Sequence, residues 1–276
     1  MKDEGDPKIY LLPNLMTAGN LFCGFAACVK ILEGALLQDD PEAAADKFQL
    51  AILCILASCI FDMLDGRLAR FGGHESPFGR EFDSLADIVS FGVAPALMVY
   101  KVVLLQFAQS GWIVAGIYLV CGALRLARFN CLAAADSEKA NKEFKGFPIP
   151  AAAGLIASLT LFMLWLDEKG RDIGNGKWVL PPLMLFLAWM MFSGFKYPSF
   201  KGINWRTTRS TAKFLVTLLI FVFTVLYYRW MPFVLFLSYL LYGFLRPFLS
   251  RKMQQEIEEE DEDEMESAGE NRHQTQ

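Results

Sequence analysis

Residues 61–92 read "FDMLDGRLARFGGHESPFGREFDSLADIVSFG", placing Asp62, Asp65, Asp83 and Asp87, with Arg67, Arg70 and Arg80 among them, between two long apolar blocks. A carboxylate at membrane depth costs about 3 kcal/mol or more, so four in one stretch call for a chemical reason. On a helix, Asp62, Asp65, Gly66 and Ala69 fall within an arc of about 100°. Gly79, Asp83 and Asp87 recur every four residues and share a second face. Two neighbouring helices joined by "GGHESP" can therefore aim two carboxylates each into one space. A lone Asp-x-x-Asp-Gly would be read as a helix end; four acids on two helical faces would repel unless a positive charge lay between them. Hard divalent cations with oxygen ligands, Mg²⁺ or Mn²⁺, meet that need. Gly66, Ala69 and Gly79 leave room for a bulky ligand against the backbone, and Arg70 offers a planar fork suited to phosphate. Carboxylates, divalent metal, arginine and open space together suggest a diphosphate substrate.

Outward from this stretch, the 276 residues are 54% hydrophobic, with 24 Phe and a mean hydropathy of +0.32. The apolar residues come in blocks long enough to cross about 30 Å of hydrocarbon as helices. Eight such blocks are expected, roughly at 15–34, 47–66, 82–107, 111–131, 148–166, 178–195, 212–228 and 231–247, which makes the chain an all-α, polytopic transmembrane helical bundle. Residues 1–13 read as a cytoplasmic or interfacial segment rather than a cleavable leader, 14–249 as the membrane domain, and 250–276, with "EIEEEDEDEMESAGE", as an acidic cytoplasmic tail. The last two blocks, joined around "RW", form a C-terminal hairpin or one broken helix. With the N-terminus inside, nineteen of the 26 Lys and Arg fall in cytoplasmic segments and five outside, while Lys30 and Lys101 lie within spans and snorkel. Both termini and the aspartate-rich stretch then face the cytoplasm. The six cysteines lie in apolar blocks with no CxxC pair and read as packed free thiols. Nucleic acid is not an expected partner.

The pattern Asp62-x-x-Asp65-Gly66-x-x-Ala69-Arg70, then eight residues, then Gly79-x-x-x-Asp83-x-x-x-Asp87 resembles the full signature of the CDP-alcohol phosphatidyltransferases. Four further stretches, "PNLMTAGNLFCGF" (13–25), "SLADIVSFGVAPA" (84–96), "GALRLARFN" (122–130) and "FKGFPIPAAAG" (144–154), resemble the branch that passes the phosphatidyl group of CDP-diacylglycerol to serine. The resemblance implies a core of about six spans, a homodimer and two divalent ions, Mg²⁺ or Mn²⁺. It places Asp62, Asp65 and Asp83 on the first ion, with Asp87 helping to hold the second and acting as general base. Gly66, Arg70, Ser76 and Gly79 would line the CDP-diacylglycerol site, with Asn14 and Thr17 reaching it from the first helix. The implied reaction joins L-serine to the phosphatidyl group and releases CMP at the cytoplasmic face of the plasma (inner) membrane, among membrane lipids. Glycerol phosphate, inositol phosphate or choline remain alternative acceptors within the family. A cation or proton transporter is the alternative outside it, although spans four to eight carry almost no acids.

Other polar residues keep two readings. Arg125 and Arg128, one turn apart, either anchor the fourth span at the cytoplasmic face or, with Asn130, hold the serine carboxylate. Asn14, Thr17 and Asn20 recur every three residues and either reach the nucleotide or cap and cross-link helices. Lys145 stands between the same two readings as the arginines, and His74 reads as an exposed loop residue.

Overall fold

The computed structural model describes residues 11–71, 76–107, 111–135, 146–171, 174–193, 219–220 and 222–245, with side chains described throughout except at 69–71, 133–135 and 174–175. Among these residues every regular element is helical. The elements are α1 (Leu11–Leu36), α2 (Pro41–Phe71), α3 (Pro77–Asp87), a π turn (Ile88–Val93), α4 (Ala94–Val102), α5 (Gly111–Ala135), α6 (Ile149–Glu168), α7 (Leu180–Phe192) and α8 (Met231–Leu245), with short 3₁₀ turns at Leu104–Phe107 and Gly174–Val179. Only helices satisfy their own backbone in hydrocarbon, and five stretches are long and apolar enough to cross it: Leu11–Leu36, Pro41–Leu68, Pro77–Val102, Gly111–Leu132 and Ile149–Glu168. The chain is an integral membrane protein by this measure. Of the expected C-terminal blocks, α7 and α8 are shorter apolar helices; residues 212–218 and 221 of the 212–228 block, the acidic tail, His74 and Lys145 lie outside the described residues.

Local sequence sets the helix starts. Asp40 Oδ1 accepts from the Ala43 amide at 3.0 Å just before Pro41 opens α2, and Ser76 Oγ accepts from the Gly79 amide at 3.0 Å with Pro77 in the first turn of α3. Pro13 is tolerated in the first turn of α1, which starts at Leu11 and so begins earlier than the expected block. From Pro41 to Asp62 the rise is about 32 Å at 1.5 Å per residue, so the aspartates of α2 emerge where one thickness of hydrocarbon ends.

α1 pairs along α2, and α6 sits in the middle of the bundle, with two thirds of its apolar window enclosed. α6 meets α2 on one side and α8 on another, while α5 packs on α7. Small residues allow these approaches. A Cβ on Gly24 of α1 would lie 2.1 Å from Ser90 Oγ and 2.6 Å from Ser90 Cα in the π turn; one on Gly154 of α6 would meet the Phe236 ring of α8 at 2.2 Å. Phe22, Phe25, Trp112 and Val120 point outward, apolar surface that suits lipid.

Candidate metal and phosphotransfer centre

The C-terminal part of α2 and α3 carry the four aspartates, and α1, packed against both helices, lies beside them. One carboxylate oxygen each from Asp62, Asp83 and Asp87 lie within 4.8 Å of one another. Asp87 is buried, and Asp62 and Asp83 are half-buried. Asp65, also buried, takes a different partner: the Thr17 hydroxyl of α1 donates to its Oδ2 at 2.9 Å. It still belongs to the same electrostatic neighbourhood, since its charge and that of Asp62 act on both Asp83 and Asp87. Three of the four expected carboxylates thus cluster in one space, and Asp65 lies in the same neighbourhood, hydrogen-bonded to α1.

The donor set suits a hard divalent cation. Three carboxylates from two helices supply only oxygen, and Asp83 Oδ1 is buried with no hydrogen-bond partner among the described residues. A buried carboxylate oxygen without donor or cation is costly, and a cation held by the cluster would relieve that cost.

Three of the residues expected to line the nucleotide site, Asn14 of α1 with Ser76 and Gly79 at the start of α3, lie close together. A Cβ added to Gly79 would lie 3.2 Å from Ser76 Oγ and 3.3 Å from Asn14 Oδ1, which puts Asn14, Ser76 and Gly79 at one spot. Asn14 Nδ2 is buried there without a partner among the described residues, a donor available to a ligand. Gly66 lies half-buried one residue beyond Asp65, and Arg70 lies in the last turn of α2, its side chain outside the described residues.

Of the three candidate acceptor-site residues, the two arginines stay within electrostatic reach of each other and Asn130 turns to α3. Arg125 of α5 is buried and lies within electrostatic reach of Asp87, Asp62, Arg128 and Tyr239 of α8. Arg128 stacks its guanidinium on Phe192 of α7, 5.7 Å from the ring centroid. Asn130 instead reaches α3, its Nδ2 donating to Ser84 Oγ at 2.9 Å, with Glu81 oxygens at 3.4 and 3.5 Å.

Two features escape a reading by sequence. Asn20, weighed only as the third member of a polar rhythm, is fully buried and donates from Nδ2 to Asp87 Oδ1 at 3.1 Å. The π turn directly after Asp87 is the other; its Phe91 carbonyl accepts from the Tyr118 hydroxyl of α5 at 3.0 Å. Such wide turns recur at functional sites, but nothing in "IVSFGV" announces one.

Comparison with known proteins agrees with this architecture. The chain is 36% identical to a CDP-diacylglycerol–serine O-phosphatidyltransferase of Helicobacter pylori over 240 residues, 86% of this chain and 91% of that protein. It is 30% identical over 206 residues to an archaetidylserine synthase of Methanothermobacter thermautotrophicus, 74% of this chain and 76% of that protein. A Mycobacterium leprae CDP-diacylglycerol–serine O-phosphatidyltransferase is 38% identical over 172 residues, 62% of this chain and 51% of that one. The profile of the CDP-alcohol phosphatidyltransferases matches residues 10–194, more than half of the chain and including all four aspartates, both arginines and Asn20. This protein is a membrane-embedded enzyme that belongs to the CDP-alcohol phosphatidyltransferase family.

Proposed function

We propose that this protein transfers the phosphatidyl group of CDP-diacylglycerol to the hydroxyl of L-serine, giving phosphatidylserine and CMP. The observation that carries the proposal is the meeting of Asp62, Asp83 and Asp87 where α2 emerges from the apolar layer, in a chain 36% identical to a serine transferase over most of both lengths. A lipid substrate keeps its acyl chains in the bilayer while its diphosphate reaches that level.

Asp62, Asp65 and Asp83 would hold one divalent ion, Mg²⁺ or Mn²⁺, and Asp87 would help to hold a second. Bound there, the ions offset the charge of the diphosphate and of the departing CMP. The remaining work falls to the chain. Asn14, Ser76 and Gly79 meet at one spot and form the wall for the cytidine end, joined by Thr17, Gly66 and Arg70. Arg125, inside the bundle and facing the same acids, holds the serine carboxylate by charge-assisted hydrogen bonds, with Arg128 beside it and Asn130 fixing the end of α5 against α3. Asp87 takes the proton of the serine hydroxyl as that oxygen bonds to the β-phosphorus and the bond from phosphorus to CMP breaks. An unassisted hydroxyl is a poor nucleophile near neutral pH, which is why a positioned carboxylate is needed.

The same reading includes a homodimer in the plasma membrane; the nineteen-to-five division of basic residues supports placing the centre and both termini in the cytoplasm. To test the function, purified protein is incubated with CDP-diacylglycerol and, separately, serine, glycerol phosphate, inositol phosphate and choline, and CMP release is scored. Serine is expected to give the highest kcat/KM. Higher kcat/KM with another alcohol would remove the serine assignment.

A further inference from the structure

Asn20 of α1 joins the carboxylate centre from the helix opposite the aspartates. Its side chain is 0% exposed. Nδ2 donates to Asp87 Oδ1 at 3.1 Å, while Oδ1 has no partner among the described residues. The backbone of the same residue does separate work. Its carbonyl accepts from Ser58 Oγ of α2 at 3.1 Å and from Ser90 Oγ of the π turn at 2.9 Å. Bracing of α1 against α2 and the π turn thus runs through the main chain, and the amide side chain is spent on Asp87 alone. Burying an amide with half its hydrogen-bonding capacity unused is unfavourable, so a merely structural position would favour an apolar side chain.

We propose that Asn20 is the positioning residue of Asp87. Its amide occupies one carboxylate oxygen and fixes the plane of the group, leaving Oδ2 to take the proton of the acceptor hydroxyl. The Ser58 and Ser90 hydroxyls hold the Asn20 backbone, and the absent Cβ of Gly24 lets the π turn come close enough for that. This inference rests on Asp87 being the general base of the proposed reaction.

A double-mutant cycle separates positioning from bracing. Asn20→Ala keeps the backbone carbonyl and its two bonds but removes the donor; Asn20→Leu does the same with the branching and heavy-atom number of Asn retained, so one leaves space and the other fills it, and at least one should fold. Either is expected to lower kcat roughly 10- to 100-fold, the worth of one hydrogen bond to a charged group, while KM for serine and for CDP-diacylglycerol stays within about three-fold. In an Asp87→Asn background the same substitution is expected to change kcat less than about two-fold, because the group it positions no longer takes a proton. An equal loss in both backgrounds would overturn the proposal and leave the base assignment standing. Asp87→Asn at parental rate would remove the base assignment and the proposal with it. Thermal unfolding supplies a readout apart from activity: saturating Mn²⁺ should raise the melting temperature of Asn20→Ala or Asn20→Leu as much as that of the parent. Disappearance of that rise would make Asn20 a determinant of metal retention and overturn its role as a positioning residue.

Discussion

At the scale of single residues, Asp87 links several parts of the centre: it shares the carboxylate triad, receives the Asn20 amide and precedes the π turn. Asp87→Asn keeps the size and one ligating oxygen but removes the basic lone pair. kcat is expected to fall by about 10²–10⁴ with CDP-diacylglycerol binding retained, and metal occupancy measured on the same variant separates loss of a base from loss of an ion. Arg125→Ala is expected to raise the KM for serine roughly ten- to a hundred-fold, far more than that for CDP-diacylglycerol. Equal weakening of both substrates would return Arg125 to the role of a membrane anchor. Arg128→Ala tests the same site; its stacking on Phe192 adds a packing contribution that a stability measurement would reveal. The four aspartates were legible because chemistry left them few alternatives at membrane depth. Asn20 was not, since its partner is 67 residues away and no helical period encodes that encounter.

At the scale of elements, spacing 100° per residue sufficed to put Asp62 with Asp65 and Asp83 with Asp87. It could not say that α1 would claim Asp65 through Thr17, nor that the helix after Asp87 would widen into a π turn. Both depend on how closely α1 comes, and glycine sets that distance. Gly24→Ala must displace Ser90, including its backbone, and is expected to destabilise the protein by about 1–3 kcal/mol. It should also lower kcat, because the segment displaced begins at the residue after Asp87. Gly116→Ala in α5 is the control: its added methyl meets nothing within 4 Å, so the gain in helix propensity, up to about 1 kcal/mol, should leave stability equal or higher. Melting temperatures of the pair, measured in one detergent, check this contrast. Ser76→Ala removes the cap of α3 and should cost about 1 kcal/mol, with a rise in the KM for CDP-diacylglycerol as the wall beside Asn14 loosens.

For the whole molecule, hydropathy placed the five long spans, because their length follows from the bilayer as solvent, and the basic residues carry the orientation proposed above. Hydropathy did not show that α6 would be the enclosed helix, since "IPAAAGLIASLTLFML" is no more apolar to the eye than α7. Its small residues, with Gly154 under the Phe236 ring, are what let neighbours close around it. α6 packs on both α2 and the π turn that follows Asp87, the two segments that flank the centre. In the proposed function α2 and α3 form a divalent-metal site that drives serine-dependent cleavage of CDP-diacylglycerol. The most direct measurement is CMP release by purified protein as serine is titrated, first in excess chelator and then after Mn²⁺ or Mg²⁺ is restored. No release above background is expected with chelator, and a saturable, serine-dependent release stoichiometric with phosphatidylserine once the metal returns. Undiminished release in chelator, or release independent of serine, would contradict the account.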